Sequence, residues 1–274
     1  LSHVEAIPRF QAFCEALGAH PVYLVDWPIV QDARAVEIIG DAVRRGTAEV
    51  GVQLHPWVNP PFDEDVCVHN SYAGNLPPAL EAAKFMALRD AIEAAFGTAP
   101  LIYRAGRYGI GADTAEMLIE LDIAFDTSVR SLFDYSAQGG PDFTSAALRP
   151  YWAIDHKLVE LPLTSVFGGL LRPIGTAMFD RYFETPSMRA LLARSGLLER
   201  IALTPEGIPA SKASRTSRSK APSGKSSQTT KARPSSRPSA RAPRRASSSG
   251  STGGGIKMAR TLVLFKQAGR ELLR

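Results

Sequence analysis

Short apolar runs that end in polar residues alternate with helix-period segments over residues 1–210, and this predicts an α/β fold. Parallel strands joined by helices would close into a barrel or remain an open sheet. Two further observations shape the reading. Four of the runs end in a charged or polar residue followed by a loop, which would gather those residues at the C-terminal ends of the strands. The composition also breaks sharply near residue 210, so a domain over 1–210 would be followed by a tail over 211–274.

Val4, Ile7, Phe10, Phe13, Cys14 and Leu17 share one helical face, with Pro8 suited to the first turn. Residues 22–26 (VYLVD) read as a buried strand opening into a loop at Trp27 and Pro28. Residues 33–45 read as a helix stopped at Gly46, and 49–55 (EVGVQLH) as a second buried strand. The segment 56–78, with five prolines, reads as a long loop, and a loop of that length in a compact domain is usually functional. A helix follows over 79–96, closed by Gly97. Next come a strand over 101–104, a Gly-rich turn over 106–111, a helix over 113–121 and a strand over 123–129. After an excursion rich in Tyr, Phe, Gly and Pro, a strand over 157–162 and a helix over 186–198 are expected. A β/α repeat ordinarily opens with a strand, so the initial helix leads us to expect a strand upstream of Leu1.

The net charge of +5 is an average of two unlike parts. Residues 1–210 hold 16 Lys and Arg against 26 Asp and Glu, a balance of −10, whereas 211–274 hold 16 basic residues against Glu271 alone, a balance of +15. The sequence pI of 9.3 therefore describes the tail and does not imply a nucleic-acid-binding fold. Residues 211–255 contain no Val, Ile, Leu, Met or aromatic and should be disordered, whereas 258–273 regain some helical character. No stretch is long and apolar enough to span a membrane, and the N-terminus lacks the order of a secretory signal. Cys14 and Cys67 have no metal-ligand spacing and read as buried free thiols, which fits a cytoplasmic location.

The strand ends would bring together Asp26 with Trp27, His55 with Trp57, Arg104 with Arg107 and Tyr108, and Asp126 with Thr127 and Ser128. Aromatic platforms beside acids and a histidine suit a sugar-binding cleft, since sugar rings stack on aromatic faces and their hydroxyls take directed hydrogen bonds. Each residue also has a plainer role. Asp26 would cap the next turn, His55 would make a structural hydrogen bond, and the tryptophans would cover the rim. Arg104 at the end of a buried strand requires partners, and Asp26 or Asp126 would serve. The glycines of RYGIG do not have dinucleotide-binding spacing.

The run Tyr103-Arg104-Ala105-Gly106-Arg107-Tyr108-Gly109 resembles the third motif of the NodB-homology polysaccharide deacetylases, carbohydrate esterase family four. The segments FDTSV at 125–129 and LVELPLT at 158–164 resemble its later strands. The WalW-type branch is the most similar, through HVEAIPRFQAFCE, YLVDWP, QLHPWVNPPFD, NSYAGNLPPALE and LTPEGI. The resemblance extends over residues 3–208 and implies a distorted (β/α)7-type barrel, incomplete in this chain. It also implies metal-dependent removal of N- or O-acetyl groups from a glycan, with a divalent metal, commonly zinc, polarising the acetyl carbonyl and activating water.

On that resemblance His55 takes the place of a metal-binding histidine, with Asn59 where a second histidine stands in the family. Arg104 would orient the catalytic acid and Asp126 would brace it, while Asp26, Trp57, Asn75 and Tyr108 would contact substrate. The chain departs from the family in lacking the Asp pair of the first motif, which would lie before Leu1. It also lacks the final apolar-x-His strand, where the basic tail now stands. An inactive carbohydrate-binding relative is the alternative. The tail matches GC-rich DNA read out of frame and is expected to be a frame-shifted product. The competing view is a native disordered tail that binds nucleic acid nonspecifically through phosphates.

Overall fold

A computed structural model of the chain describes residues 2–154, 156–182, 185–203 and 261–264. The fold is mixed α/β with a mostly parallel sheet. A 3-10 turn and helix α1 (Ile7–Ala16) lead into strand β1 (His20–Val25), a short helix α2 (Trp27–Val30) and helix α3 (Ala33–Arg44). Strand β2 (Glu49–Leu54), the long loop, helix α4 (Pro78–Phe96), strand β3 (Ile102–Ala105), helix α5 (Thr114–Glu120) and strand β4 (Phe125–Asp126) follow. The remaining elements are β5 (Tyr151–Ile154), β6 (Leu158–Glu160), β7 (Ser165–Gly168), α6 (Gly175–Tyr182), α7 (Pro186–Arg194), β8 (Glu199–Ala202) and β9 (Thr261–Leu264). No helix among the described residues is long and apolar enough to cross a membrane.

The main sheet runs β5-β6-β4-β3-β2-β1-β9, parallel throughout except for the β5–β6 pair, and β7 and β8 form a separate antiparallel pair. Among the described residues the strands do not close into a ring, since β5 and β9 are the two edges. Alternation along the strands divides the sheet into two faces. Val25, Val50, Val52, Leu54 and Tyr103 pack on the helix layer, and Val22, Leu24, Ile102 and Phe125 form a small cluster on the other face. On α4, Phe85, Leu88 and Ile92 are fully buried, at spacings of three and four residues. Burying each such side chain contributes roughly 1.5–3 kcal/mol.

The structure departs from the sequence reading at identifiable places. Residues 27–30, expected to be loop, form α2 because Asp26 accepts from Ile29 N at 3.3 Å and Pro28 sits in the first turn. The strand expected over 123–129 is regular only at Phe125 and Asp126. Beyond them side chains replace the ladder: Ala105 N donates to Ser128 Oγ at 2.9 Å, and Val129 N donates to Glu160 Oε1 at 3.1 Å. Strands β5, β7 and β8 and helix α6 have no counterpart in the sequence reading: β5 is a short edge strand beside β6, β7 and α6 are short pieces packed around Leu132, Phe179, Leu192 and Leu198, and β8 pairs with β7. Cys14 is buried as expected, but Cys67 is exposed, since it lies on the outer loop. Of the tail, Thr261–Leu264 pairs in parallel with β1, where helical character was expected; its Thr-Leu-Val-Leu run suits the open edge of β1. The rest of 211–274, with the disorder read there, lies outside the described residues.

Candidate functional site at the strand ends

Because β1, β2, β3, β4 and β6 are parallel, their last residues share one end of the sheet. Asp26 follows β1 directly and His55 follows β2. The Asp26 carboxylate does two things at once. One oxygen caps α2 and the other bonds His55 Nδ1 at 3.2 Å. Asp26 is only 2% exposed. An ionised carboxylate there selects the Nδ1–H tautomer and leaves the lone pair of the neutral imidazole on Nε2. The Trp57 ring lies 4.9 Å from the imidazole, tilted by 31°, and is partly exposed. Gly106 packs on the remaining side. A Cβ there would fall 2.2 Å from His55 Cδ2 and 2.5 Å from Leu54 O, so any side chain would dislodge the ring.

Arg104 is buried beside this pair, in register with Gln53. Its Nε donates to Thr127 O at 2.8 Å and its Nη2 to Thr127 Oγ1 at 2.7 Å; Thr127 Oγ1 in turn donates to Leu161 O at 2.9 Å. Arg104 thus fastens the ends of three strands. Burial lowers its pKa to about 9, partly offset by Tyr108, Asp126 and Glu160.

Asp126 is in register with Tyr103 and Glu160, which puts it on the helix-covered face, away from Arg104. Its Oδ1 accepts from Ser128 N at 3.0 Å and from Ser128 Oγ at 2.5 Å. The expected brace on Arg104 is therefore supplied by Thr127, one residue on, because adjacent strand residues point to opposite faces.

Two residues of this neighbourhood were not singled out from the sequence. Glu160, 1% exposed, lies in register with Asp126, and burial followed by that neighbour's charge holds its carboxyl well above the usual range. A lone acid ending the apolar run LVE was the available signal. Gln53, 9% exposed, carries a buried Oε1 with no hydrogen-bond partner, and it shares a sheet face with Arg104.

The loop over 56–78 starts at this same end of the sheet, directly after His55, and stands there as a wall whose asparagines hold the loop itself. Asn59 is fully buried and its Nδ2 donates to Pro60 O at 2.8 Å and Lys84 O at 2.7 Å. Lys84 of α4, also fully buried, donates to Pro56 O, Asn59 O and Pro61 O and pairs with Glu64 at 2.9 Å. Asn75 Nδ2 donates to His69 O at 2.9 Å and Gly139 O at 2.8 Å, joining the wall to the segment after β4. The wall meets the turn after β3 backbone to backbone. Gly74 N donates to Gly109 O at 2.8 Å, and a Cβ on Gly74 would fall 1.9 Å from Gly111 N.

That turn carries Arg107 and Tyr108 at φ 56° and 63°, a left-handed pair that costs energy for side-chain-bearing residues. Arg107 offsets the cost with bonds to Ser71 Oγ, Tyr72 OH and Gln138 Oε1. Tyr108 stacks on Tyr135 with ring centroids 5.8 Å apart.

The donor set gives a direct test of the implied metal. Among the described residues no group of three or more His, Cys, Asp or Glu side chains could hold a metal ion. His55 has one carboxylate neighbour, bonded at Nδ1, and Asn59 gives its Nδ2 to two backbone carbonyls while its buried Oδ1 has no hydrogen-bond partner. A zinc ion needs about four such donors. The described residues do not fit one, and a metal at His55 would need its other ligands from elsewhere.

No protein-family model matches the chain, and neither does any curated protein. Among the solved structures similar to part of it are two of different kinds. One is described as a polysaccharide deacetylase from Mycobacterium smegmatis, with 20% identity and a TM-score of 0.41 over 58% of this chain and 46% of its own. The other is a GH57 branching enzyme from the hyperthermophilic archaeon Thermococcus kodakaraensis, with 14% identity and a TM-score of 0.30 over 54% of this chain and 28% of its own. The matched part thus spans less than half the length of either.

Proposed function

We propose that this chain is a hydrolase domain of polysaccharide-deacetylase lineage that removes N- or O-acetyl groups from a glycan. The observation that carries the reading is the Asp26–His55 pair at the strand ends, with the Trp57 ring against it. The motif order over residues 3–208 supplies the lineage and the acetyl substrate. In this reading a sugar stacks on Trp57 and sets an acetyl carbonyl near His55 Nε2. The imidazole takes a proton from water as the water oxygen bonds the carbonyl carbon, while Asp26 stabilises the resulting imidazolium. As the tetrahedral species collapses and its bond to the sugar nitrogen or oxygen breaks, the imidazolium returns its proton to that atom, which releases acetate, leaves the amine or hydroxyl on the sugar and restores His55.

A second reading, a glycan-binding relative without hydrolysis, is favoured by two observations. Arg104, the other charged group facing the rim, is committed to Thr127, and the described donors gather no metal site. Acetate release from acetylated chitooligosaccharides, with and without added zinc, separates the two. Hydrolysis that falls about 100- to 10,000-fold in His55→Ala supports the first reading. Release at the same rate in His55→Ala removes His55 from the chemistry. Oligosaccharide binding that needs Trp57 but yields no acetate supports the second reading.

A further inference from the structure

Beyond Tyr108 the aromatic rim meets a pair of arginines that the hydrolytic reading does not use. Arg130 lies on the segment leaving β4, and its guanidinium carbon sits 4.0 Å from the Phe133 ring centroid and 5.4 Å from that of Tyr108. Arg200, from β8, reaches the same Phe133 ring at 3.8 Å. The two cations are therefore separated by no more than one aromatic ring. Arg130 Nη1 donates to Tyr135 OH at 2.9 Å, and its Nε is buried with no hydrogen-bond partner. Arg200 Nη1 donates to Leu132 O.

Both residues are half-buried, and no carboxylate among the described residues lies within ion-pair distance of either. The acid that acts on Arg200 from further off is Asp134, whose Oδ1 already accepts from Ser136 N at 2.8 Å. Burial, with Arg189 and Arg130 nearby, lowers Arg200 to about 10. Uncompensated cations held together on rigid aromatic supports are costly alone and favourable around an anion. They stand out further because residues 1–210 carry a balance of −10.

We propose that Arg130 and Arg200, set about Phe133 and bordered by Tyr108 and Tyr135, form a subsite for an anionic group on the glycan, a carboxylate or a phosphate or sulfate ester. The proposal rests on the glycan reading above and narrows it to acidic glycans. Guanidinium groups match the planar fork of such anions, and the Tyr108–Tyr135 stack offers a ring-sized platform between the subsite and the strand ends. Arg130 reaches the Tyr108 ring at 5.4 Å, and Tyr108 lies on the turn that follows β3, so the subsite adjoins the rim.

The test is calorimetric titration of the full chain with three disaccharides of matched size. These are neutral diacetylchitobiose, a hyaluronan disaccharide bearing one carboxylate, and a chitobiose 6-sulfate. The charged disaccharides should bind about tenfold tighter at low salt, and the gap should narrow as ionic strength rises. Arg130→Gln and Arg200→Gln should each bring the charged-to-neutral ratio close to one, with neutral binding unchanged. Arg130→Lys and Arg200→Lys should retain part of the ratio and thereby show that the fold survives. The basic tail is the same in every variant, so its attraction for anions cancels from the comparison. Comparing carboxylate with sulfate identifies the kind of anion. Equal binding of all three probes, or a ratio that survives in both Gln variants, would mean that the arginines only pack on aromatic rings and would overturn the subsite. Binding of neutral sugar without charge preference removes the subsite alone. Failure of every probe removes the glycan reading with it.

Discussion

Replacing Lys84 with Met removes a fully buried ammonium that donates to three loop carbonyls and pairs with Glu64 at 2.9 Å. The Glu64 side chain is only 6% exposed, so the variant leaves a carboxylate buried without its cation. Breaking one half of a buried ion pair typically costs about 3–5 kcal/mol, most of it from the orphaned charge. Losing three charge-assisted bonds to carbonyls places Lys84→Met towards the upper end, about 4 kcal/mol. At about 2–4 °C per kcal/mol for a domain of this size, the melting temperature should fall by about 8–16 °C. Urea unfolding followed by tryptophan fluorescence reads this directly. The double variant Glu64→Gln with Lys84→Met should recover at least about 1 kcal/mol relative to the sum of the single changes, since the uncompensated charge is gone. Chymotrypsin should also cut after Phe62 sooner in Lys84→Met. If Lys84→Met costs less than about 1 kcal/mol, the loop is not anchored through this residue and its placement of Trp57 needs another cause.

Three further outcomes are expected. Gly106→Ala should destabilise by about 1–3 kcal/mol and depress acetate release together, because its Cβ meets both His55 Cδ2 and Leu54 O; wild-type values in both assays would refute the packing argument. Glu160 holds its proton above its ordinary value of 4.5 in the folded chain, whereas the unfolded chain releases it there. Its contribution to stability is therefore fully present below about pH 4.5 and declines as pH rises towards the raised folded value, and Glu160→Gln should flatten that decline; parallel pH profiles would count against it. Tyr103→Phe removes a buried hydroxyl that has no hydrogen-bond partner and should be neutral or stabilising by roughly 1 kcal/mol; a comparable loss in urea unfolding would contradict this.

What the sequence disclosed depended on how local the signal was. Strands β1, β2, β3 and β6 and helices α1, α3, α4 and α5 were legible because apolar runs and helical periodicity are properties of adjacent residues. Asp26 and His55 were each legible as strand ends, and the plain capping role weighed for Asp26 is observed; its hold on the imidazole was not foreseen. Asp126 acts on Arg104 through its charge, but the hydrogen bonds to Arg104 come from Thr127. A residue shifted by one along a strand changes face, and only the observed register gives that phase. Lys84 gave no signal, since a lysine on an amphipathic helix ordinarily faces solvent, and its carbonyl partners lie 23 to 28 residues away. Asn59 resembled a ligand by position, and its Nδ2 serves α4 while its buried Oδ1 has no hydrogen-bond partner, a division that position alone does not give.

The contact between Gly74 and Gly111 has a bearing on how such a scaffold diversifies. With no room for even a methyl group on either side, the segments that meet there form a single cassette contributed by two separate stretches of chain. A change of length or composition in one requires a matching change in the other, so neither can drift alone. New substrate shapes are more readily reached through residues 57–70, where Phe62, Val66 and Val68 are exposed, or through the segment beyond β4. A graft of this rim onto another framework should accordingly carry residues 71–75 and 106–111 as a pair, and exchanging one without the other should leave a protein that folds around a gap.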